Sequence, residues 1–511
     1  MGLISASRSR SPDDQCPQDA CRQSSNRCSA DERTLDLDDP VASAPEDSEK
    51  KQLQAHKAGP VHGSCNEKGA GTAVEALEQE KYERMRAKSE HRFKRLSWQR
   101  LAICLIVEAV ALGTLSLPSA FATVGLVPGV LLTIGIGLIV IYTAHVVGAA
   151  CNNSPTEVLS YVDLGERMFG RWGREVFTVM FMLIQLLASA SHTLTGAIAF
   201  TSITNGATCS IVWSVVSAIL LFVLALPPSF TEFAILGVID FISLIAAVVI
   251  TMIATGIQAT NLPGGRSTVD WHAFPQEKPS FVQAFVAVSN IVFAYSFIMG
   301  QPTVQAELRQ PNDYMKAVWA IGLTEVTIYT LTGSIIYVFV GSGVQSPALL
   351  SAGPLVSRIV FGIALPLIFI SGSILVNQPA RYIHQRILGE TRHRWISTKT
   401  GILVWLLINA IFVAVAFLVA QAIPTFSSLL SLTSALFISS FNFIFPALIW
   451  WLLLRKGKWN DNWHNIVSTI INLFVFLLGA LVLVAGTYAS VVSIIGESKN
   501  GRRPFSCAPR N

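Results

Sequence analysis

Glu108-Ala109-Val110-Ala111-Leu112-Gly113-Thr114, with Pro118 close behind, sits inside an apolar run over residues 101–121. Such a run can cross a bilayer, which takes about 20 mostly apolar residues. Within it the regular apolar helix fails. A carboxylate at this depth costs about 3 kcal/mol or more unless it is paired, protonated or wetted. The small residue, glycine and threonine that follow let backbone groups approach a ligand closely. Alone, the stretch also reads as helix packing around Gly113, with Glu108 near an aqueous end.

A second interruption, Phe293-Ala294-Tyr295-Ser296-Phe297-Ile298-Met299-Gly300-Gln301-Pro302, changes that balance. Gly300 and Pro302 weaken the helix, and Gln301 brings an amide into an apolar run. The interrupted runs are the first and sixth of eleven. Transporters built from two inverted repeats place their unwound helices at corresponding positions in the two halves, five spans apart. Half-helix N-termini there favour a substrate carboxylate, while freed carbonyls accept an ammonium group or a cation.

The eleven runs lie at about 101–121, 127–150, 176–203, 211–226, 233–258, 282–304, 317–341, 355–377, 401–420, 429–454 and 466–494. The fold class is therefore an all-α polytopic membrane protein with eleven transmembrane helices. The chain is 51% hydrophobic and 14% charged, against about a quarter charged in soluble proteins. Of its 69 charged residues, 34 fall in the first 100 positions. Three regions follow: a polar N-terminal tail over 1–95, a transmembrane domain over 96–495 and a short C-terminal tail over 496–511. The N-terminal tail has too little apolar surface to offset its ordering entropy and is expected to be disordered, with a short helix near 72–90. No basic stretch followed by an apolar core opens the chain, so no cleaved signal peptide is expected.

Basic residues in short loops set the orientation. Arg84, Arg86, Lys88, Arg92, Lys94, Arg95 and Arg100 precede the first run. Arg167, Arg171, Arg309, Lys316, Arg381, Arg386, Arg392, Arg394, Arg455, Lys456 and Lys458 fall in loops on the same side, whereas the opposite loops carry Arg266 and Lys278. The N-terminus is thus cytosolic and the C-terminus outside, although Lys499, Arg502, Arg503 and Arg510 pull the other way. The sequon Asn152-Asn153-Ser154 then lies inside and should stay unglycosylated. The net charge of +5 calls for no nucleic-acid partner, since basic residues flank membrane spans anyway.

Eight cysteines, at 16, 21, 28, 65, 104, 151, 209 and 507, show no zinc-ligand spacing, and no metal or other cofactor is expected. The four in the N-terminal tail should remain reduced in the cytosol, while Cys209 and Cys507 could meet outside. Gln185, Ser189 and His192 in the third run, Asp240 in the fifth, Glu325 in the seventh, and Ser371 and Ser373 in the eighth read first as interhelical hydrogen-bonding groups. Asn442 and Asn472 read as interhelical glue. His145 takes a structural role at the inner end of the second run. No HExxH motif, paired aspartates or Ser/His pair at matching depth stands out, which argues against a membrane enzyme.

Leu115-Ser116-Leu117-Pro118-Ser119-Ala120-Phe121, with Gly125 after it, resembles the first-span signature of the amino acid/auxin permease family. Tyr161-Val162-Asp163-Leu164-Gly165-Glu166, then Phe169-Gly170, is similar to that family's loop after span two. Gln305-Ala306-Glu307-Leu308, with Pro311 and Asp313, resembles its acidic stretch after span six. Ile336-Tyr337-Val338-Phe339-Val340-Gly341, and Ile423-Pro424 through Pro446, continue the likeness over about 97–486. The polar tail, Glu108 and Gly486-Thr487-Tyr488 resemble the fungal neutral amino acid permeases most.

The resemblance implies a leucine-transporter-like 5+5 inverted repeat plus one extra helix, and symport of neutral aliphatic or aromatic amino acids driven by a proton or sodium gradient. By analogy, the substrate would meet Ala111, Leu112, Gly113 and Thr114 in one break and Phe293, Ala294, Tyr295 and Ser296 in the other. Phe293 and Tyr295 would border the side-chain pocket. Ser371 would fall near a sodium-holding position of related carriers. Glu108, where such carriers have an amide or small residue, suits a proton better, so proton coupling through Glu108 is expected. The plasma membrane is favoured over the vacuolar membrane, and the N-terminal tail could engage cytosolic regulators. A carrier of another solute, a vacuolar exporter of the same family and a non-transporting amino acid sensor stay open.

Overall fold

The computed structural model describes residues 97–154, 157–227, 230–389, 391, 398–423, 425–499 and 504–507, with the helix alone over 230–235. The expected disordered tail, its short helix and its cysteines lie outside these residues, as do Pro424, Arg392, Arg394, Arg502, Arg503 and Arg510. The described residues are helical and include no strand.

The helices run α1 (Trp98–Ala109), α2 (Leu112–Val124), α3 (Leu126–Asn152), α4 (Tyr161–Ile203), α5 (Ser210–Ala225), α6 (Phe230–Asn261), α7 (Phe281–Ala294), α8 (Gln301–Gln305), α9 (Tyr314–Val340), α10 (Pro354–Leu388), α11 (Lys399–Ala422), α12 (Phe426–Leu454) and α13 (Trp463–Lys499). Among the described residues, eight helices are long and apolar enough to cross a membrane, or nine with the bent pair α1–α2 counted as one span. α5 and α7 are shorter apolar helices.

Large apolar residues such as Leu131, Ile242, Leu403 and Val484 point outward at 61–70% exposure, the surface that hydrocarbon rather than water accepts. The interior is correspondingly rich in enclosed Ser and Thr. Many satisfy their hydroxyls on the preceding turn, as Thr133 does on the Gly129 carbonyl and Thr195 on the Ser191 carbonyl.

Two groups of helices share the interior. In one, α9 packs along α3 and against α1 and α2, and α2 packs on α7. In the other, α4 packs on α5, α10 and α11. α6 reaches across to α10, α9 and α1, and α12 and α13 close over α7.

Local chemistry explains several boundaries. The third apolar run was expected over 176–203, but α4 begins at Tyr161. Ser160 and Asp163 form a capping box there, with Asp163 Oδ2 accepting from the Leu159 and Ser160 amides at 2.9 Å each. The added turns are bent away at Gly170, whose φ of 64° suits glycine. At the other end of the chain, α13 runs to Lys499, past the expected start of the C-terminal tail at 496. Cys209 and Cys507 form a disulfide, so the two cysteines expected to be able to meet do so.

Candidate functional site

Both expected interruptions are real breaks. α1 ends at Ala109; Val110 (φ −79°, ψ 80°) and Ala111 (φ −127°, ψ −143°) leave helical geometry before a tight turn of 3₁₀ helix starts at Leu112. The bend between the two halves is 45°. α7 ends at Ala294, Tyr295 turns out (φ −92°, ψ 62°), and a short 3₁₀ turn at Phe297–Met299 leads into α8. Each break withdraws backbone carbonyls from the intrahelical ladder and presents them to the surroundings.

The breaks touch. A Cβ added at Gly113 would lie 2.7 Å from the Ala294 Cα, so the crossing closes only because residue 113 is glycine. Of the eight expected substrate-contacting residues, Leu112, Gly113, Thr114, Ala294 and Tyr295 are fully enclosed, while Ala111, Phe293 and Ser296 are partly open.

Tyr295 joins the crossing by its backbone and not by its ring. Its hydroxyl donates to the Thr133 carbonyl on α3 at 2.8 Å, and its ring meets Tyr329 edge-on. The ring is therefore committed to interhelical packing, whereas Phe293 is partly exposed and packs against the core. The Tyr295 carbonyl accepts from the Asn442 amide of α12. Asn442 is glue, as expected, but glue applied to a broken-helix carbonyl.

One hydroxyl bridges the two breaks. Tyr329 Oη lies 2.9 Å from the Ala294 carbonyl, 3.3 Å from the Ala109 carbonyl and 3.3 Å from Glu325 Oε1. Tyr329 carried no signal at the level of sequence, being one tyrosine in an apolar run.

Glu108 sits against the second break. An added Cβ at Gly300 would lie 3.4 Å from its Oε1. Gln378 of α10 extends its amide to Glu108 Oε1 at 3.5 Å, and Gln185 of α4 donates to the Gln378 carbonyl oxygen. A polar line thus runs from the α1 carboxyl through α10 to α4. Gln185 was expected to be an interhelical group and is one, but Gln378 was not singled out.

Ser371 does not join Glu108. It ends a π-helical turn at Leu367–Ser371 and donates to Asp240 Oδ2 on α6. Asp240 is 2% exposed, and its other oxygen has no partner among the described residues. The hydroxyl that resemblance would give to a sodium ion is here directed at a carboxyl. His192 lies close by and contacts the Ile368 carbonyl at 2.7 Å, an interhelical role.

Gln301 is turned outward from the crossing. Its amide donates to the Ala144 carbonyl at 2.9 Å, and Gln305 donates to the Gly148 carbonyl and to Asn152 Oδ1 at 3.0 Å each. These bonds lock α8 to the C-terminal end of α3, where His145 takes the Tyr314 hydroxyl at 2.9 Å. Among the described residues no three His, Cys, Asp or Glu side chains gather as a metal set.

Residues 94–492 match the model of the family described as transmembrane amino acid transporter protein. The N amino acid transport system protein of Neurospora crassa is 49% identical over 82% of this chain and 89% of its own length. A transmembrane transporter of Gibberella moniliformis is 31% identical over 81% of this chain and 88% of its own. An inward-facing structure of Mhp1 covers 80% of this chain and 92% of its own, with 14% identity and a TM-score of 0.49, a likeness too loose to fix residue roles.

Proposed function

The chain belongs to the transmembrane amino acid transporter family, and on that premise we propose that it is a proton-coupled symporter of neutral amino acids. It is a multi-pass membrane transporter and not an enzyme, as its relatives are. The observation that carries the finer reading is the contact of the two breaks at Gly113 and Ala294, with the Glu108 carboxyl beside them against Gly300.

The substrate is held at this crossing. Its ammonium group meets freed carbonyls near Ala109–Ala111 and Ala294, and its carboxylate meets the amides that open the next half-helix, near Leu112–Thr114. Ser296 and Phe293 face the side chain. The preference for neutral substrates is supported by the sparse charge around the crossing, where Glu108 is kept for the coupled proton. Glu108 loads a proton when the site is open to the acidic side and releases it to the other. Gln378 stabilises the carboxylate between the two events.

Eleven crossings complete the architecture, with α5 and α7 counted as spans. A 5+5 repeat is supported by the grouping of helices. Spans one, two, six and seven (α1–α2, α3, α7–α8 and α9) share one cluster, and spans three, four, eight and nine (α4, α5, α10 and α11) share the other. These are repeat-equivalent pairs. The cytosolic N-terminus rests on the basic loops, and the Cys209–Cys507 disulfide supports a C-terminus on the oxidising side. We favour the plasma membrane, where an acidic exterior would drive uptake.

Uptake of labelled neutral amino acids into cells lacking their own permeases tests this reading, over a range of external pH, with and without sodium. The wild type should saturate, ignore sodium and lose uptake as pH rises. Glu108→Gln should weaken the pH dependence and lower uptake within the range of about 5–150-fold typical of coupled sites. Sodium-dependent uptake with an unaffected variant would reject the coupling, and no flux from protein present at the surface would reject transport of these substrates.

A further inference from the structure

We propose that Glu325 is a proton-bearing positioning residue which, through the Tyr329 hydroxyl set between the two helix breaks, controls whether the Ala294 carbonyl is held. Its consequence for flux rests on the transport reading above, whereas the protonation itself does not.

The argument is a count of hydrogens. Tyr329 is fully buried, and its hydroxyl has one hydrogen. Around that oxygen stand the carbonyls of Ala294 and Ala109, the Oε1 of Glu325 and the Thr114 hydroxyl. The shortest contact, 2.9 Å to Ala294, takes the hydrogen. Glu325 Oε1 at 3.3 Å is then favourable only if the carboxyl supplies the hydrogen of its own bond, donating to the tyrosine oxygen. Oε2 is enclosed with no hydrogen-bond partner among the described residues, and Glu325 itself has no exposed surface. An ionised carboxylate there would lack the donors that its four lone-pair sites need.

No cation relieves it. The ionisable groups that face Glu325 are Tyr329, on its own helix, and Tyr295, whose ring stands against Tyr329. The other described ionisable side chains on elements packed against α9 have partners or settings of their own. On α1, Arg100 and Cys104 are exposed and Glu108 meets Gln378. On α3, Tyr142 meets Asn472, His145 meets Tyr314, and Cys151 is a half-buried free thiol. On α6, Asp240 takes Ser371, and α2 carries no ionisable side chain.

With Glu325 neutral, Tyr329 holds the Ala294 carbonyl and stays close to that of Ala109, pinning the crossing. When the crossing opens and water reaches Glu325 to take its proton, the hydroxyl hydrogen turns to the carboxylate, and the Ala294 carbonyl is released. The two breaks are thereby linked to a titration separate from that of Glu108.

Infrared spectra of the purified, detergent-solubilised protein at neutral pH test the assignment. The carbonyl stretch of a neutral carboxylic acid should be present in the wild type, missing one component in Glu325→Gln, and shifted in Tyr329→Phe, which removes the acceptor. Glu108→Gln should leave that component in place, so failure of the Glu108 reading is distinguishable from failure here. In uptake assays Glu325→Gln, which still donates to Tyr329, should keep transport and flatten the alkaline limb, while Glu325→Ala should lose it. An acid band unchanged in Tyr329→Phe overturns the proposal, even if Glu325→Gln fails to fold, and so does an unchanged spectrum in a folded Glu325→Gln.

Discussion

Gly113 carries the contact on which the site depends. Its missing Cβ lets the Leu112–Thr114 turn rest on the Ala294 backbone, and backbone cannot swing aside as a side chain can. Gly113→Ala should therefore push the breaks apart, at a cost of about 1–3 kcal/mol for an overpacked site. We expect a lowered melting temperature together with loss of saturable uptake in protein that still reaches the membrane. Retained uptake with wild-type affinity would mean that the substrate does not use this crossing. At this scale the sequence was half legible. Glycine shortly after a carboxyl in an apolar run marked the first break, but the partners Gln378, Tyr329 and Asn442 lie far along the chain. The Tyr295 ring shows the same limit: its position in the break was readable, but its direction depended on Thr133 and Tyr329.

Among elements, the loop between α6 and α7 is clamped to the end of α9. The Ser342 hydroxyl donates to Asp270 Oδ2 at 2.6 Å, the Ser342 amide donates to the Asp270 carbonyl at 2.9 Å, and His272 Nε2 contacts Asp270 Oδ1 at 2.7 Å. The Ser342 hydrogen bond, followed by that of His272, holds the Asp270 carboxyl below the ordinary carboxylate range. A lowered folded-state value stabilises the clamp fully above the unfolded value of about 3.9, and the contribution disappears as pH falls through the lower folded value. Amide exchange at Ser342 and His272 should stay slow from neutral pH down to mild acid and quicken in strong acid. In Asp270→Asn that acid-dependent step should be absent; an unchanged step would assign it to another group. Apolar length gave these elements their existence, whereas their ends followed capping and tertiary bonds. The capping box at Ser160 and Asp163 extends α4 well before its apolar run, and Gln301, expected to bring an amide to the break, is spent on α3.

Across the whole molecule, the Cys209–Cys507 disulfide joins the turn after α4 to the C-terminal segment, over 298 residues of sequence. The Phe505 amide also donates to the Gln421 carbonyl at 3.3 Å, so the segment is laid against the end of α11. Cys507→Ser should lower stability by about 2–4 kcal/mol, the usual worth of a disulfide, read as a shift in thermal unfolding. After mild reduction of intact cells, a membrane-impermeant thiol reagent should label Cys507. Labelling only after permeabilisation would put the C-terminus in the cytosol.

What the sequence determined alone was the solvent and the class: long apolar runs, charge confined to loops, and two runs interrupted five apart. Those properties are local, because bilayer length and helix breaking depend on neighbouring residues. Its family signature, also local in each motif, pointed to amino acid transport. The tertiary structure decided which groups face one another: Gly113 on Ala294, Tyr329 across both breaks, Glu108 beside Gly300, and Ser371 on Asp240. In a low-dielectric interior a polar group is stable only with its partner, and partners are chosen by packing between helices distant in sequence, which no local pattern encodes.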